Sequence, residues 1–358
     1  MTWTPGSDVR RHDRAGAWFA LAAAVLFGAS APAAKALLGT VSSHLLAGLL
    51  YAGSGIGLAV VLGLRPQLRS SGARLTARDM PWLGGAILFG GVLGPVLLLV
   101  GLSHSPASNA SLLLNLEGVF TASIAWIVFR ENVDRRIALG MLAIVAGSAL
   151  VSWQGRLAWS GFAGPLAIAA ACACWAIDNN LTQKVAGGNP VQIAMLKGTV
   201  AGSTNILLAL WQGATWPSGI SISEALLLGF VSYGVSLALF VIALRHLGTA
   251  RTGAYFSTAP FVGALLSVVA LHEPVTRGLA VGALLMGVGV WLHLTERHEH
   301  EHAHEAMEHE HQHVHDEHHQ HEHGPGDPPG EPHSHWHRHE PMVHTHPHYP
   351  DIHHRHSH

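Results

Sequence analysis

The stretch Glu131-x-Val133-x-Arg135-x-x-Ala138-x-Gly140-x-Leu142 recurs 142 residues later as Glu273-x-Val275-x-Arg277-x-x-Ala280-x-Gly282-x-Leu284. The match extends without gaps over residues 82–153 and 224–295. A repeat of this length indicates duplication of a whole structural unit. Both copies are apolar almost throughout, and this combination predicts a membrane protein built of two related halves.

The chain up to residue 294 contains ten apolar segments. A helix needs about 20 mainly apolar residues to cross roughly 30 Å of hydrocarbon, and each segment is close to that length. The predicted spans are 17–38, 42–64, 82–102, 106–129, 136–153, 164–185, 190–212, 225–244, 249–271 and 277–294. We therefore predict an all-α integral membrane fold of ten transmembrane helices. Its predicted parts are an N-terminal segment (1–16), two five-helix repeats (17–153 and 164–294), a connecting loop (154–163) and a tail (295–358).

The Lys and Arg residues that flank the spans are distributed unequally, with 14 on one side and 3 on the other. The positive-inside rule then places both termini in the cytoplasm. We expect the protein to lie in the cell (inner) membrane. Because five spans per half is an odd number, the halves must be inverted relative to each other. The loop 103–109 carries no Lys or Arg, whereas its repeat partner 245–251 carries two. Inverted repeats place a substrate site near the bilayer midplane, between the halves.

The spans and their ends resemble the drug/metabolite transporter superfamily, in particular its EamA-type members. The likeness rests on Phe129-Arg130-Glu131, Leu271-His272-Glu273-Pro274, Ala259-Pro260-Phe261 and Cys174-Trp175-Ala176, and it covers residues 17–294. It implies secondary transport of a small solute, often outward, by a protein that is not an enzyme and requires no cofactor. The sequence contains no phosphate-binding GxxxxGK[ST] loop, which agrees with this expectation. A shared fold does not name the substrate.

Polar side chains at bilayer depth are costly and commonly mark a route for an ion or a substrate. We predict a substrate or ion pathway formed by Asn115, Glu117, Asp178, Asn179, Asn180, Lys197 and Asn205. Asp178 and Lys197 lie at equal depth, about 10 Å from the cytoplasmic ends of neighbouring helices at about 1.5 Å per residue. They are expected to pair, either as a static bridge or as a pair that exchanges partners with a substrate or a proton. Glu117, for which the sequence offers no obvious partner, suits proton coupling or contact with a cation.

Other polar residues near the spans are interpreted structurally. Glu131 and Glu273 occupy equivalent repeat positions at helix ends, where capping or pairing with a nearby Arg is expected. Lys35 lies close to the end of its helix and is expected to extend toward the membrane surface. Cys172 and Cys174 point in different directions on a helix, so packing is expected rather than metal binding.

The tail, residues 295–358, holds 23 of the 29 histidines and 13 of the 22 acidic residues. It has no apolar periodicity, so we predict a disordered segment. Neutral imidazole is a common ligand, and alternating His-x-His is expected to bind Zn, Ni, Co or Cu. The predicted metal ligands are His298, His300, His302, His304, His309, His311, His313, His315, His333, His335, His337, His339, His344, His346 and His348.

Three functions remain open from the sequence. The first is a carrier, with export favoured, for a divalent transition metal that the tail collects. The second is a carrier for an organic metabolite or amino acid, with a tail that only buffers or regulates. The third is a membrane-anchored metal store or sensor, which needs neither ten spans nor a repeat. The basic residues form no stripe, so no nucleic-acid partner is expected, and the lipid bilayer, the solute and a second copy of the chain are the candidate partners.

Overall fold

The computed structural model describes residues 6–69, 75–129, 135–153, 159–185, 188–295, 299–304, 307–313, 333–339 and 342–347 of the 358-residue chain. The chain divides into two units, Met1–Thr295 and Glu296–His358. Within the described residues, ten helical segments are long and apolar enough to cross a membrane. The predicted all-α fold with ten spans is confirmed, and the predicted span ends lie within a few residues of the helical segments in most cases.

The first five spans are built from eight α-helices. These are α1 (Gly6–Gly28), α2 (Ser30–Leu37), α3 (Ser43–Leu64), α4 (Met80–Ala86), α5 (Gly94–Ser103), α6 (Ala107–Leu113), α7 (Leu116–Phe129) and α8 (Arg135–Ser152). A 3-10 turn, Pro66–Arg69, follows α3. A π-helix, Ile87–Leu93, joins α4 to α5 and is called the first π-segment below.

The second five spans are built from six α-helices. These are α9 (Trp159–Gln183), α10 (Pro190–Trp211), α11 (Gly219–Gly229), α12 (Ser236–Phe256), α13 (Ala259–Ala270) and α14 (Arg277–Leu294). The second π-segment, Phe230–Val235, joins α11 to α12.

The two π-segments lie at equivalent repeat positions. The Gly94 N–H donates to the Phe89 carbonyl, and 142 residues later the Ser236 N–H donates to the Val231 carbonyl. Both bonds connect residues five apart, the spacing of a π-helix, which occurs mostly as a single wide turn and frequently at functional sites. The duplication is therefore visible in the backbone as well as in the sequence.

Helix α12 differs from the sequence prediction of a connection near residues 245–248, because it continues through them. The first half does break at the equivalent place, between α5 and α6. The difference follows from composition. The first half has Pro106 there, and proline disrupts a helix interior, whereas the second half has Gly248, which lowers helical stability without removing a backbone donor.

The largest contacts between helices join a helix of the first half to a helix of the second half. Helix α3 packs on α10, α8 on α14, and the contact of α5 with α9 has its counterpart in the contact of α12 with α1. Small residues allow α3 and α10 to approach closely, since Gly198 lies against Gly55 and Gly202 against Ala52. This pattern is expected of two related halves, and their inverted orientation stays a prediction.

The described backbone of the tail is extended. Strand β1 (Glu299–His304) pairs antiparallel with β4 (Met342–Pro347), and β2 (Met307–His313) pairs antiparallel with β3 (His333–His339). An isolated two-stranded ladder is marginally stable in water. These ladders therefore agree with a tail that the sequence predicts to be unable to form a packed core.

Candidate functional site

An ion pair joins α9 and α10 within the membrane-spanning body. The Lys197 Nζ donates to both carboxylate oxygens of Asp178, at 2.6 and 2.7 Å. Thr182 donates to Asp178 Oδ1 at 2.8 Å and lies 3.4 Å from Lys197 Nζ. The exposed fractions of the Lys197 and Asp178 side chains are 17% and 9%. The pair expected from equal depth on neighbouring helices is present in the structure.

The Asp178 carboxylate lies against the first π-segment. A Cβ placed on Gly90 would overlap Asp178 Oδ2, so only glycine leaves room for the ion pair. The Gly90 carbonyl accepts hydrogen bonds from Tyr51 Oη at 2.7 Å and Trp175 Nε1 at 3.0 Å. Pro95 lies five residues after Gly90 and has no N–H, so this turn lacks a backbone donor. Two side chains supply the missing hydrogen bonds.

Asn205 binds the next carbonyl of the same turn. Its Nδ2 donates to the Gly91 carbonyl at 2.9 Å, and the residue is 1% exposed. Its Oδ1 is buried and has no partner among the described residues. Asn205 is therefore connected to the ion pair through the first π-segment rather than by direct contact.

Glu117 on α7 has a partner that the sequence did not reveal. Asn179 Nδ2 donates to Glu117 Oε1 at 2.8 Å and lies 3.5 Å from Thr121 Oγ1. Asn179 directly follows Asp178 on α9, so Glu117 contacts the residue next to the ion pair. The two opposite charges of the ion pair and a second carboxyl group thus occupy one region.

Two of the predicted pathway residues are directed elsewhere. Asn115 Nδ2 donates to the Leu112 carbonyl at 2.8 Å and lies 3.8 Å from Met286 Sδ. Asn180 Nδ2 donates to the Ala176 carbonyl of its own helix at 2.8 Å. The structure therefore brings together Glu117, Asp178, Asn179 and Lys197, attaches Asn205 through the π-segment, and leaves Asn115 and Asn180 outside this polar cluster.

An aromatic cluster adjoins these groups. The rings of Tyr51 and Tyr233 have centroids 5.7 Å apart, and Phe27 lies 5.8 Å from Tyr233 and 5.3 Å from Phe256. Tyr51 belongs to both sets, since its hydroxyl binds Gly90. This cluster was not predicted from the sequence. A signal was available, because Tyr233 occupies the repeat position of Gly91.

Cys172 packs as expected, and the structure describes most of the predicted tail ligands. Cys172 is buried with its Sγ 3.6 Å from the Leu113 carbonyl, in agreement with packing. Among the residues that the structure describes, no group of three or more His, Cys, Asp or Glu side chains is arranged to hold a metal ion. His298, His315 and His348 lie outside the described residues, and the other twelve predicted tail ligands lie in β1–β4.

Glu273 acts as a helix cap rather than as a partner of an Arg. Its Oε1 and Oε2 accept hydrogen bonds from the Ala107 and Ser108 N–H groups at 2.7 and 2.8 Å, at the first turn of α6. Its repeat counterpart Glu131 lies outside the described residues.

Lys35 reaches the turn that follows α5, and its extension toward the membrane surface stays a prediction. Its Nζ donates to the carbonyls of Leu102 at 2.5 Å and Ser105 at 2.8 Å. A half-buried ammonium at the end of α5 finds nearby unpaired helix-terminal carbonyls, which also carry the negative end of the helix dipole.

Ten spans around polar groups at bilayer depth define a multi-pass membrane protein of the transporter class. The comparison with known families makes this specific. Residues 14–153 and 162–295 each match the EamA-like transporter family, so the chain belongs to that family.

Relatives support the same class. An uncharacterized transporter of Methanothermobacter thermautotrophicus is 26% identical over 287 residues, covering 76% of this chain and 84% of its own length. The uncharacterized transporter YyaM of Bacillus subtilis is 25% identical over 244 residues, covering 65% and 78%. A crystal structure of a protein with 20% sequence identity has the same fold, with a TM-score of 0.58 over 78% of this chain and 95% of that chain.

Proposed function

We propose that this transporter carries a small organic zwitterion, a solute with an ammonium and a carboxylate group, and that it exports this solute from the cytoplasm. The observation that carries the proposal is the Asp178–Lys197 pair, which is bidentate and largely enclosed. The outward direction is what the family resemblance implies.

A zwitterion matches this pair in charge and geometry. Its carboxylate can bind Lys197 while its ammonium binds Asp178, so that each buried charge exchanges one partner for another. Breaking a buried pair without replacement leaves an uncompensated charge and costs about 3–5 kcal/mol. A divalent cation that binds Asp178 leaves Lys197 without its partner and repels it. The pair therefore favours the zwitterion over a bare metal ion.

Two neighbouring features complete the proposed site. Glu117 supplies a second carboxyl group beside Asn179, for the ammonium or for a coupled proton. Tyr51 and Tyr233 supply aromatic surface, which binds apolar groups and attracts cations to the ring face.

Transport into proteoliposomes tests this function. The full-length chain is reconstituted, and uptake of a mixture of labelled amino acids is compared with uptake of ⁶³Ni²⁺ and ⁶⁵Zn²⁺. We expect amino-acid flux that falls at least about ten-fold in Asp178→Asn and in Lys197→Met, the change expected for loss of a charged hydrogen bond. Asn180→Ala, two residues from Asp178 and with its side chain bonded to the Ala176 carbonyl of the same helix, is the matched control with unchanged flux. Metal flux without amino-acid flux would overturn the proposal.

A divalent transition metal is the second candidate substrate, and the tail is the observation that favours it. The backbone register places His300 opposite His346 and His302 opposite His344, and the ladder of β2 with β3 pairs His309 with His337 in the same way. We propose that the tail binds Zn²⁺, Ni²⁺, Co²⁺ or Cu²⁺, with imidazole as the ligand.

A cellular measurement separates a metal substrate from a buffering tail. Full-length and tail-deleted (1–296) forms are expressed in a metal-sensitive host, and cellular Ni, Co, Zn and Cu are measured. A metal exporter lowers the cellular metal content in both forms, or in the full-length form alone if its flux depends on the tail. A buffering tail raises bound metal only in the full-length form.

A further inference from the structure

Two side chains of opposite charge hold the turn between α5 and α6. Lys35 from α2 donates to the carbonyls of Leu102 and Ser105 at the end of α5. Glu273 accepts from the first N–H groups of α6. Each charge matches the helix end that it meets, since cations are stabilised at C-termini and anions at N-termini.

The Glu273 contact connects the two halves of the chain. Glu273 follows α13 in the second half, and α6 belongs to the first half. The preceding residue, His272, has a φ of 55°, the left-handed region that side chains other than glycine adopt rarely. Such a conformation is kept only where the surrounding structure holds it, and here it precedes the carboxylate that reaches α6.

Packing is tighter at this turn than further along the same span, in α7. Ala107, Ser108, Ala110 and Ser111 of α6 are each at most 1% exposed. By contrast, nothing lies within 4 Å of a Cβ placed on Gly118 of α7, beside Glu117. The turn end of this span is therefore buried among neighbouring residues, while Gly118 lies on the exposed surface of the same span.

We propose that Glu273, supported by Lys35, is a latch that closes the turn end of the transport path and must release during each transport cycle. Transport by alternating access moves one half against the other around a fixed site, so a contact between the halves at one end has to break. Glu273 is thus a positioning residue for transport. The latch concerns access and does not depend on which solute is carried.

In this conformation, the equivalent position of the second half cannot form the same contact. The counterparts of Ala107 and Ser108 are Thr249 and Ala250, which lie inside the continuous helix α12. A residue in a helix interior uses its N–H within the helix, so these two offer no free helix start to a carboxylate.

Thiol labelling tests the latch in the full-length chain. Ser111 lies one turn beyond the latch, against Gly263 of α13. A Ser111→Cys reporter is placed in a Cys172→Ala, Cys174→Ala background, and a membrane-impermeant maleimide is applied to each side of proteoliposomes in turn. Glu273→Gln should raise the labelling rate from one side at least about ten-fold, as expected for the loss of charged hydrogen bonds. Glu224→Gln, an exposed carboxylate on α11, is the matched control and should leave the rate unchanged.

A second variant acts on the other partner. Ala107→Pro removes one N–H that Glu273 binds, and proline is favoured at the first position of a helix. Pro106 has φ −56° and ψ 143°, the extended backbone that a following proline requires. Its labelling should also rise, and a cooperative melting transition checks that the variant is folded. Unchanged labelling in both folded variants overturns the latch, whatever the substrate proves to be, and a folded Ala107→Pro decides the matter if Glu273→Gln does not fold.

Discussion

The Asp178 carboxylate occupies the space that a side chain at Gly90 would fill. The ion pair of α9 and α10 therefore depends on a glycine in a third helix. Gly90→Ala should displace Asp178 from Lys197 and reduce transport at least about ten-fold, with a loss of about 1–3 kcal/mol in stability from overpacking. Flux in proteoliposomes and chemical denaturation in detergent measure the two effects.

The control for that change is Gly84→Ala in α4, since nothing lies within 4 Å of a Cβ at Gly84. It adds the same methyl group to the same span. Equal effects of the two variants would contradict a specific role for Gly90.

Reversing the ion pair separates its structural role from transport. Asp178→Lys or Lys197→Asp alone places like charges together and should destabilise the protein by about 3–5 kcal/mol. The double variant restores an opposite-charge pair and should recover much of the stability. Flux should not recover, because each substrate group then meets a charge in a different place. A double variant with normal flux would indicate that the pair only locks α9 to α10.

Glu117→Gln tests the role of the second carboxyl group. Glutamine keeps an oxygen that accepts from Asn179, so the free energy of unfolding should change by no more than roughly 0.5 kcal/mol, as for a surface substitution. If the carboxyl group couples a proton, flux driven by a pH gradient should fall toward the rate of exchange without a gradient. Flux that keeps its full response to the gradient would remove Glu117 from coupling.

Asn205→Ala should destabilise the first π-segment. The Gly91 carbonyl loses its Asn205 donor in a buried setting, which costs about 1–3 kcal/mol. Asn180→Ala breaks a hydrogen bond within a single helix and is the comparison. Denaturation of both purified variants in the same detergent gives the difference, and equal unfolding free energies would show that Asn205 contributes nothing specific.

Isothermal titration with Ni²⁺ tests the tail. The full-length chain should bind several ions, and the 1–296 form should lose most of this binding, since the alternating imidazoles are the predicted ligands. Binding should also decrease as pH falls through about 6.5, where free imidazole becomes protonated. Binding that survives the deletion would place the ligands in the membrane body.

Features that depend on chain length and local polarity could be predicted from the sequence. Ten apolar segments gave ten helical segments, and equal depth on neighbouring helices was sufficient to pair Asp178 with Lys197. Contacts between helices that are distant in the chain were not predictable in this way. Glu117 meets Asn179 because of how α7 crosses α9, and Lys35 meets Leu102 because α2 ends beside α5.

The π-segments lie between these two cases. Pro95 removes a backbone donor, and this is apparent from the sequence. The side chains that replace the donor come from α3, α9 and α10. Local sequence thus indicates that the turn is irregular, and only packing decides that its carbonyls bind Tyr51, Trp175 and Asn205.

The equivalent stretches of the two repeats, a broken helix before Ala107 and an unbroken one through Thr249, have a consequence for the cycle. The equivalent connections of the two halves thus have different backbone structures in one molecule. If the halves exchange these backbone structures, a new helix start forms before Thr249 in the second half, while the helix start that Glu273 caps is lost in the first half. The duplicated sequence would then encode both end states of the motion. Each half would show the backbone structure that the other half adopts in the second state.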